Sequence, residues 1–357
     1  MNKYKVCAYA ITKNESKFVD RWMDSLKEVD AVYVLDTGST DDTVEKLKKR
    51  GAKVCVKEIN PWRFDVARNE SLKLVPNDTD ICICLDLDEV IEKGFRKNLE
   101  KLWDNKITRV RYNYNWSFDK YGKPAINFYI EKIHSRFGYK WIHPVHEVLK
   151  YEGIEKKLTT DDITVNHYPD NNKSRSSYLP LLELSVKEDP LDDRNMHYLG
   201  REYMYYGMYN KAIDTLLKHL ELEKATWKDE RSASMRFIAR SYKKLGRLLE
   251  ARLWYKKAIK ETPYLREPYV ELGMLEYENN NYELASKNLL IALNNKIYKS
   301  YINEPFCYDG AIYDLLSVCK YYEGYYAEAL YYIKQALKLD PDNERIINNE
   351  KLISEKL

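Results

Sequence analysis

Glycine and proline are scarce, at 12 and 11 in 357 residues, which excludes a collagen-like or low-complexity chain. Long apolar runs are missing too: nothing approaches the roughly 20 consecutive residues that cross a bilayer. The N-terminus, Met1-Asn2-Lys3-Tyr4-Lys5-Val6, lacks the apolar core and small-residue cleavage site of a secretory signal. A cytoplasmic location without membrane insertion is therefore expected. Nor is there an excess of charge, since 59 Lys and Arg against 56 Asp and Glu leave +3. That balance gives no general reason to bind nucleic acid or an anionic membrane. The six cysteines, Cys7, Cys55, Cys82, Cys84, Cys307 and Cys319, form no CxxC pair and no zinc spacing with histidine, so they read as reduced core residues. What is plentiful is apolar material, 44% of residues, enough to exclude disorder as the main state. The length exceeds the roughly 250 to 300 residues that one core serves. Two domains are expected, 1–175 and 176–357.

The first half alternates short apolar runs with amphipathic stretches, the pattern of an α/β domain with a mostly parallel central sheet. Strands are expected over Tyr4 to Ile11, Ala31 to Leu35, Lys53 to Val56 and Ile81 to Leu85, and helices over Glu15 to Glu28, from Thr43 to about Arg50, and over Asp65 to Leu74. Beyond residue 105 the strands look antiparallel, Thr108 to Trp116 and Phe128 to Phe137, turning at Gly122-Lys123-Pro124.

From about residue 178 strand signals give way to long helical patterns. Segments beginning at Ala212, Ala251, Ala285 and Ala329 align, at steps of 39, 34 and 44 residues. A second alanine follows the last three, at Ala258, Ala292 and Ala336; seven residues are about two helical turns, so each pair shares one face and lets a neighbouring helix approach. Turns precede the anchors at Gly207-Met208-Tyr209, Gly246-Arg247-Leu248, Asn280-Asn281-Tyr282 and Gly324-Tyr325-Tyr326. These features resemble tetratricopeptide repeats, so the second half is expected to be an all-α solenoid. The long third step implies an insertion around Asn294 to Phe306.

The segment Ile81-Cys82-Ile83-Cys84-Leu85-Asp86-Leu87-Asp88-Glu89 runs a buried strand into acidic residues. The strand period of two puts Asp86 and Asp88 on one side, and two carboxylates there suit Mg²⁺ or Mn²⁺ shared with a diphosphate. Capping of the next helix is the other reading. Polar clusters also follow the first three strands: Thr12-Lys13-Asn14-Glu15, then Asp36-Thr37-Gly38-Ser39-Thr40-Asp41-Asp42-Thr43, then Trp62 to Asn69. In an open parallel sheet these all fall at the carboxyl ends of the strands, where ligands bind. Asp41 and Asp42 are open to simple helix capping, and Arg68 to an ion pair with Asp65 on the helix surface.

These motifs, in this order over residues 6 to 90, resemble the family 2 nucleotide-sugar glycosyltransferases with the A-type fold. The resemblance implies that Thr12, Asn14, Glu15, Asp36, Gly38 and Ser39 line the nucleotide pocket. It also implies that Arg68 and Asp86 meet the donor's diphosphate or sugar and that Asp86 and Asp88 bind Mn²⁺ or Mg²⁺. The likeness continues through His146-Glu147 and His167-Tyr168. Glu147 is the candidate general base for inverting transfer, His146 orients the acceptor, and His167 completes the metal shell or touches the diphosphate; each histidine is equally open to a structural role. The Gln-x-x-Arg-Trp motif of processive synthases is absent. A UDP-sugar is the donor implied. The tyrosine-rich repeats suggest a peptide or protein acceptor, as in transferases that modify antimicrobial peptides. Two other readings stay open: transfer to a cell-envelope saccharide or lipid precursor, with the repeats forming a homodimer, and an inactive scaffold.

Overall fold

A computed structural model describes residues 3–104, 106–170, 178–298 and 300–357. The chain divides into two compact units, Met1–Ser185 and Val186–Leu357. The expected boundary at 175/176 and the first two residues of the N-terminal stretch lie outside the described residues.

The first unit opens with β1 (Val6–Thr12), α1 (Val19–Ser25), β2 (Ala31–Asp36), α2 (Thr43–Lys49), β3 (Lys53–Val56), α3 (Phe64–Lys73) and β4 (Ile81–Cys84). It continues through β5 (Glu89–Ile91), α4 (Phe95–Leu102), β6 (Arg109–Phe118), β7 (Pro124–Ser135), β8 (Tyr139–Ile142), β9 (Val148–Tyr151) and β10 (Lys157–His167). Among the described residues eight strands form one sheet, in the order β3-β2-β1-β4-β7-β6-β10-β5. The first four are parallel, as expected. β7 then runs antiparallel to β4 and β6, β10 is parallel to β6, and β5 is antiparallel to β10.

Every residue of β1 and β4 is buried, because both faces of these strands are covered. On one face Val6, Ala8, Ile81 and Ile83 meet Trp22, Phe95 and Leu99. On the other, Cys7, Tyr9, Cys82 and Cys84 meet Leu72 and Trp141. Five cysteines are buried and reduced as expected; Cys55 is exposed.

Besides β5, α4, β8 and β9, which the sequence pattern did not anticipate, three details differ from expectation. The first helix is short because Ser16–Phe18 forms a 3₁₀ turn ahead of α1. Pro124 begins β7 instead of sitting in the turn, since the Asp119 carboxylate closes that turn by accepting from the Tyr121 and Lys123 amides. β10 escaped notice because a register shift between Thr160 and Thr164 breaks the period of two that marks a strand.

After α5 (Tyr178–Glu188) the second unit consists of α6 (Asp193–Tyr205), α7 (Tyr209–Glu221), α8 (Lys228–Lys244), α9 (Leu248–Glu261), α10 (Glu267–Glu278), α11 (Tyr282–Asn294), α12 (Ala311–Tyr322), α13 (Tyr326–Leu339) and α14 (Glu344–Ser354). It is all-α among the described residues. The four anchoring alanines are fully buried. Each follows a left-handed turn residue, with φ of 73° at Gly207, 75° at Gly246, 60° at Asn280 and 84° at Gly324. Asparagine replaces glycine once, being the side chain that tolerates this conformation best.

A second line of small residues, Gly200, Ala239, Gly273 and Ser317, repeats at the same steps. It lies under the facing helix: a Cβ at Gly200 would come within 2.5 Å of Leu216 Cγ, and one at Gly273 within 2.9 Å of Leu289 Cγ. Gly273→Ala should therefore cost about 1–3 kcal/mol of overpacking, although glycine to alanine inside an exposed helix stabilises by about 1 kcal/mol. Urea unfolding of the full chain reads this, and unchanged or higher stability would contradict the packing.

Acid should weaken both units. Burial lowers the His134 and His197 rings to about 3. Once unfolded they protonate near the ordinary value of about 6.5. The stabilisation is complete above that pH and is lost as pH falls from there toward 3. Stability at pH 5 should fall below that at pH 7 by about 2 kcal/mol per histidine; a flat profile of urea midpoints would contradict this.

Candidate functional site

The loops after β1 and β2 are fastened to each other. Asn14, at φ 54°, donates its amide to Ser39 Oγ at 2.8 Å and accepts from the Thr40 amide at 2.7 Å. Thr12 Oγ1 donates to Glu15 Oε2 at 3.0 Å, and the Glu15 amide donates to Thr43 Oγ1 at 2.9 Å. Asp36 is fully buried and accepts from the Gly38 and Ser39 amides and the Ser39 hydroxyl. Gly38 has the φ of 107° that this turn demands. All six residues assigned to the nucleotide pocket thus meet in one paired loop. Asp41 accepts from the Thr43 amide and Asp42 pairs with Lys46, so these two serve the start of α2.

At the end of β4 lies a chain of alternating charges. Arg68, 5% exposed on α3, donates Nε to Glu147 Oε1 at 2.9 Å and places Nη1 2.5 Å from Asp86 Oδ1. Asp86 Oδ2 accepts from Lys132 Nζ at 3.0 Å, and the same ammonium reaches both Glu89 oxygens at 2.7 Å. Tyr114 OH donates to Glu89 at 2.8 Å. Burial opposes the charge on Arg68 and Lys132, but Asp86, with Glu147 on one side and Glu89 on the other, more than offsets it and raises both. Burial alone would raise Asp86; Arg68 and Lys132 instead hold it well below the ordinary carboxylate range. Glu89 goes up, driven by burial and the nearby carboxylates. Asp65 pairs with Arg63, so Arg68 is not part of a helix-surface pair.

Asp88 has a different partner. Its Oδ2 lies 3.5 Å from His167 Nε2, while His167 Nδ1 sits 3.0 Å from the Trp116 carbonyl oxygen and the ring stacks on Trp116. With the Nδ1 hydrogen donated to that carbonyl, a neutral ring turns a lone pair toward the carboxylate, and only a proton or a cation reconciles the two. Burial lowers the imidazole's affinity for a proton, but Asp88 outweighs it and raises His167. Among the described residues no three His, Cys, Asp or Glu side chains converge as a ready ligand set. Asp88 and His167 nevertheless could hold a divalent ion if substrate oxygens filled its other positions, with Trp116 fixing the ring as an outer-shell partner does.

Glu147 and His146 stand on the loop between β8 and β9. Asn69, beside Arg68 on α3, fastens β8 by exchanging two hydrogen bonds with the Trp141 backbone, at 2.8 and 2.9 Å. The His146 ring lies 5.9 Å from that of Tyr178, while its neighbour Glu147 makes the Arg68 contact. Glu89 and Asn69 lie within the motifs read from the sequence but were given no role there, and sequence reasoning missed Lys132 and Trp116 as members of this site. A signal existed for Lys132, a lone cation on a strand otherwise rich in isoleucine and aromatic residues.

Residues 8–150 match the family model described as Glycosyl transferase family 2. They form a family 2 glycosyltransferase domain. Similar curated proteins are uncharacterized glycosyltransferases of Rickettsia conorii, 39% identical over 103 residues, covering 28% of this chain and 34% of that one, and of Rickettsia bellii, 34% identical over 100 residues, covering 28% and 33%. The chain thus spans about a third of the length of the curated relatives it matches. Among solved structures, MamA matches 50% of this chain and 99% of its own at 19% identity and TM-score 0.39. A repeat protein of Thermus thermophilus matches 50% and 89% at 18% identity and TM-score 0.36.

Within the family 2 domain, Lys132→Met would leave the buried Glu89 without a cation and take one of its two cations from the partly exposed Asp86. The expected loss is about 3 kcal/mol, read by urea unfolding at pH 7; wild-type stability would contradict the charge chain.

Proposed function

We propose that the family 2 domain transfers a sugar from a UDP-hexose or UDP-N-acetylhexosamine to a peptide or protein acceptor held by the repeats, with inversion and with Mn²⁺ or Mg²⁺. The observation that carries this reading is the Asp88–His167 pair standing beside Asp86, which two buried cations, Arg68 and Lys132, grip at the carboxyl ends of the strands. Of the three residues assigned to metal from sequence, Asp88 and His167 would hold the ion. Asp86 keeps Arg68 and Lys132 in position at the donor's diphosphate. When bound, the ion stabilises charge on the departing diphosphate as a Lewis acid.

The fastened loop of Thr12, Asn14, Glu15, Asp36, Gly38 and Ser39 receives the uridine. Glu147 spends Oε1 on Arg68, which leaves Oε2 to take the acceptor's proton as the acceptor atom bonds to the anomeric carbon. The bond from that carbon to the diphosphate breaks, and its electron pair leaves with the diphosphate. His146 orients the acceptor.

Calorimetric titration of UDP with and without Mn²⁺ tests the assignment. Mn²⁺ should tighten binding at least tenfold in the wild type and not at all in Asp88→Ala, which should also lose sugar-nucleotide turnover. Equal binding with and without the ion in the wild type would defeat the metal reading.

A further inference from the structure

The second helices of the last three repeats, α9, α11 and α13, expose apolar and cationic side chains in rows. On α9, Leu249, Leu253, Lys256 and Lys260 are all exposed, and their helical spacing puts them along one face. Leu249 and Leu253 are 78% and 52% exposed. The row recurs on α11 with Leu284, Lys287 and Ile291, and on α13 with Tyr331, Lys334 and Lys338, all exposed. Counted from the anchoring alanines, Leu253, Lys256 and Lys260 stand where Tyr331, Lys334 and Lys338 stand. The rows are therefore related by the repeat and lie on the same side of the second helices.

The acidic residues of these helices stand elsewhere or are paired. Glu250, Glu283 and Glu328 fall in the first turns, where the helix dipole favours them, and Glu261 pairs with Arg231. Among the described residues Lys256, Lys260, Lys287, Lys334 and Lys338 form no ion pair, whereas Lys243 and Lys320 on the neighbouring first helices do. The dipole accounts for Lys260 and Lys338 in the last turns. It does not account for Lys256, Lys287 and Lys334 further back, nor for the exposed apolar side chains beside them. The face also has a boundary: α7 carries Asp214 and Glu221, both exposed, at the positions of Leu253 and Lys260. A balanced total charge thus conceals a local surface that is basic and apolar together.

We propose that this face of α9, α11 and α13 lays the protein on an anionic lipid bilayer. Leucine, isoleucine and tyrosine side chains gain by leaving water for the boundary between headgroups and acyl chains. Lysines among them reach the lipid phosphates with their ammonium groups while their stems stay in the apolar layer. A nucleic acid would draw the lysines but leave Leu249, Leu253, Leu284 and Ile291 in water. A second copy of the chain on this face would set lysine against lysine, which disfavours association. The proposal does not depend on sugar transfer or on the nature of the acceptor, and its test is binding alone.

Flotation of the full chain with vesicles tests it, comparing phosphatidylcholine containing about three parts in ten phosphatidylglycerol with phosphatidylcholine alone. The wild type should float with the mixed vesicles and stay behind with the neutral ones. Raising salt from about 0.1 M to about 0.5 M should weaken binding about tenfold, because it screens the lysines. Leu249→Ser with Leu253→Ser should weaken it about tenfold, and Lys256→Glu, Lys260→Glu and Lys334→Glu together about a hundredfold. Lys211→Glu with Lys218→Glu, exposed on α7, should leave it unchanged. Substitutions at such exposed positions should keep the wild-type urea midpoint, and the comparison of lipids needs no variant at all. Equal flotation with neutral vesicles, or none with either, would overturn the proposal. Full binding by the leucine variant would do so as well, and so would tighter binding to duplex DNA than to the mixed vesicles, which would assign the face to nucleic acid.

Discussion

A guanidinium taken out of water at the end of the central strand dictates the arrangement around it. Arg68 cannot shed its charge, so its surroundings must neutralise it. Asp86 and Glu147 do so from opposite sides, and Asp86 in turn draws Lys132, which is balanced by Glu89. This sequence of obligations joins α3, the end of β4, β7 and the loop before β9, elements distant in the chain. The result is a charged floor beside which Asp88 faces His167 instead. The two aspartates of one short motif thus have different work, set by their partners and not by their spacing.

Much of this was legible in the sequence. Unbroken apolar runs marked the parallel strands, and clusters of Asp, Ser, Thr and Asn marked their carboxyl ends. The periodic alanines marked the repeats, and the long step placed the insertion where it is found, between α11 and α12. What stayed hidden depends on pairing between distant segments. Lys132 reaches Asp86 only because β7 lies against β4, a neighbourhood no local pattern encodes. The bulge in β10 erased the alternation that would have revealed the strand, and with it the way Trp116 meets His167. Asp36 shows the converse: the motif was visible, but its work in closing its own turn needed coordinates.

The two units use charge in related ways. In the family 2 domain, buried ions are neutralised within the site, and Asp88 stands apart beside His167. In the repeats, buried Arg236 is neutralised by Glu271, and its Nη2 donates to the Ile302 carbonyl of the insertion.

The central claim is the division of labour between the aspartates, and anomalous diffraction from crystals grown with UDP and Mn²⁺ tests it most directly. The account predicts a single manganese peak within bonding distance of Asp88 and His167, with Asp86 still gripped by Arg68 and Lys132. A peak elsewhere, or one reached only after Asp86 has left both cations, would contradict it.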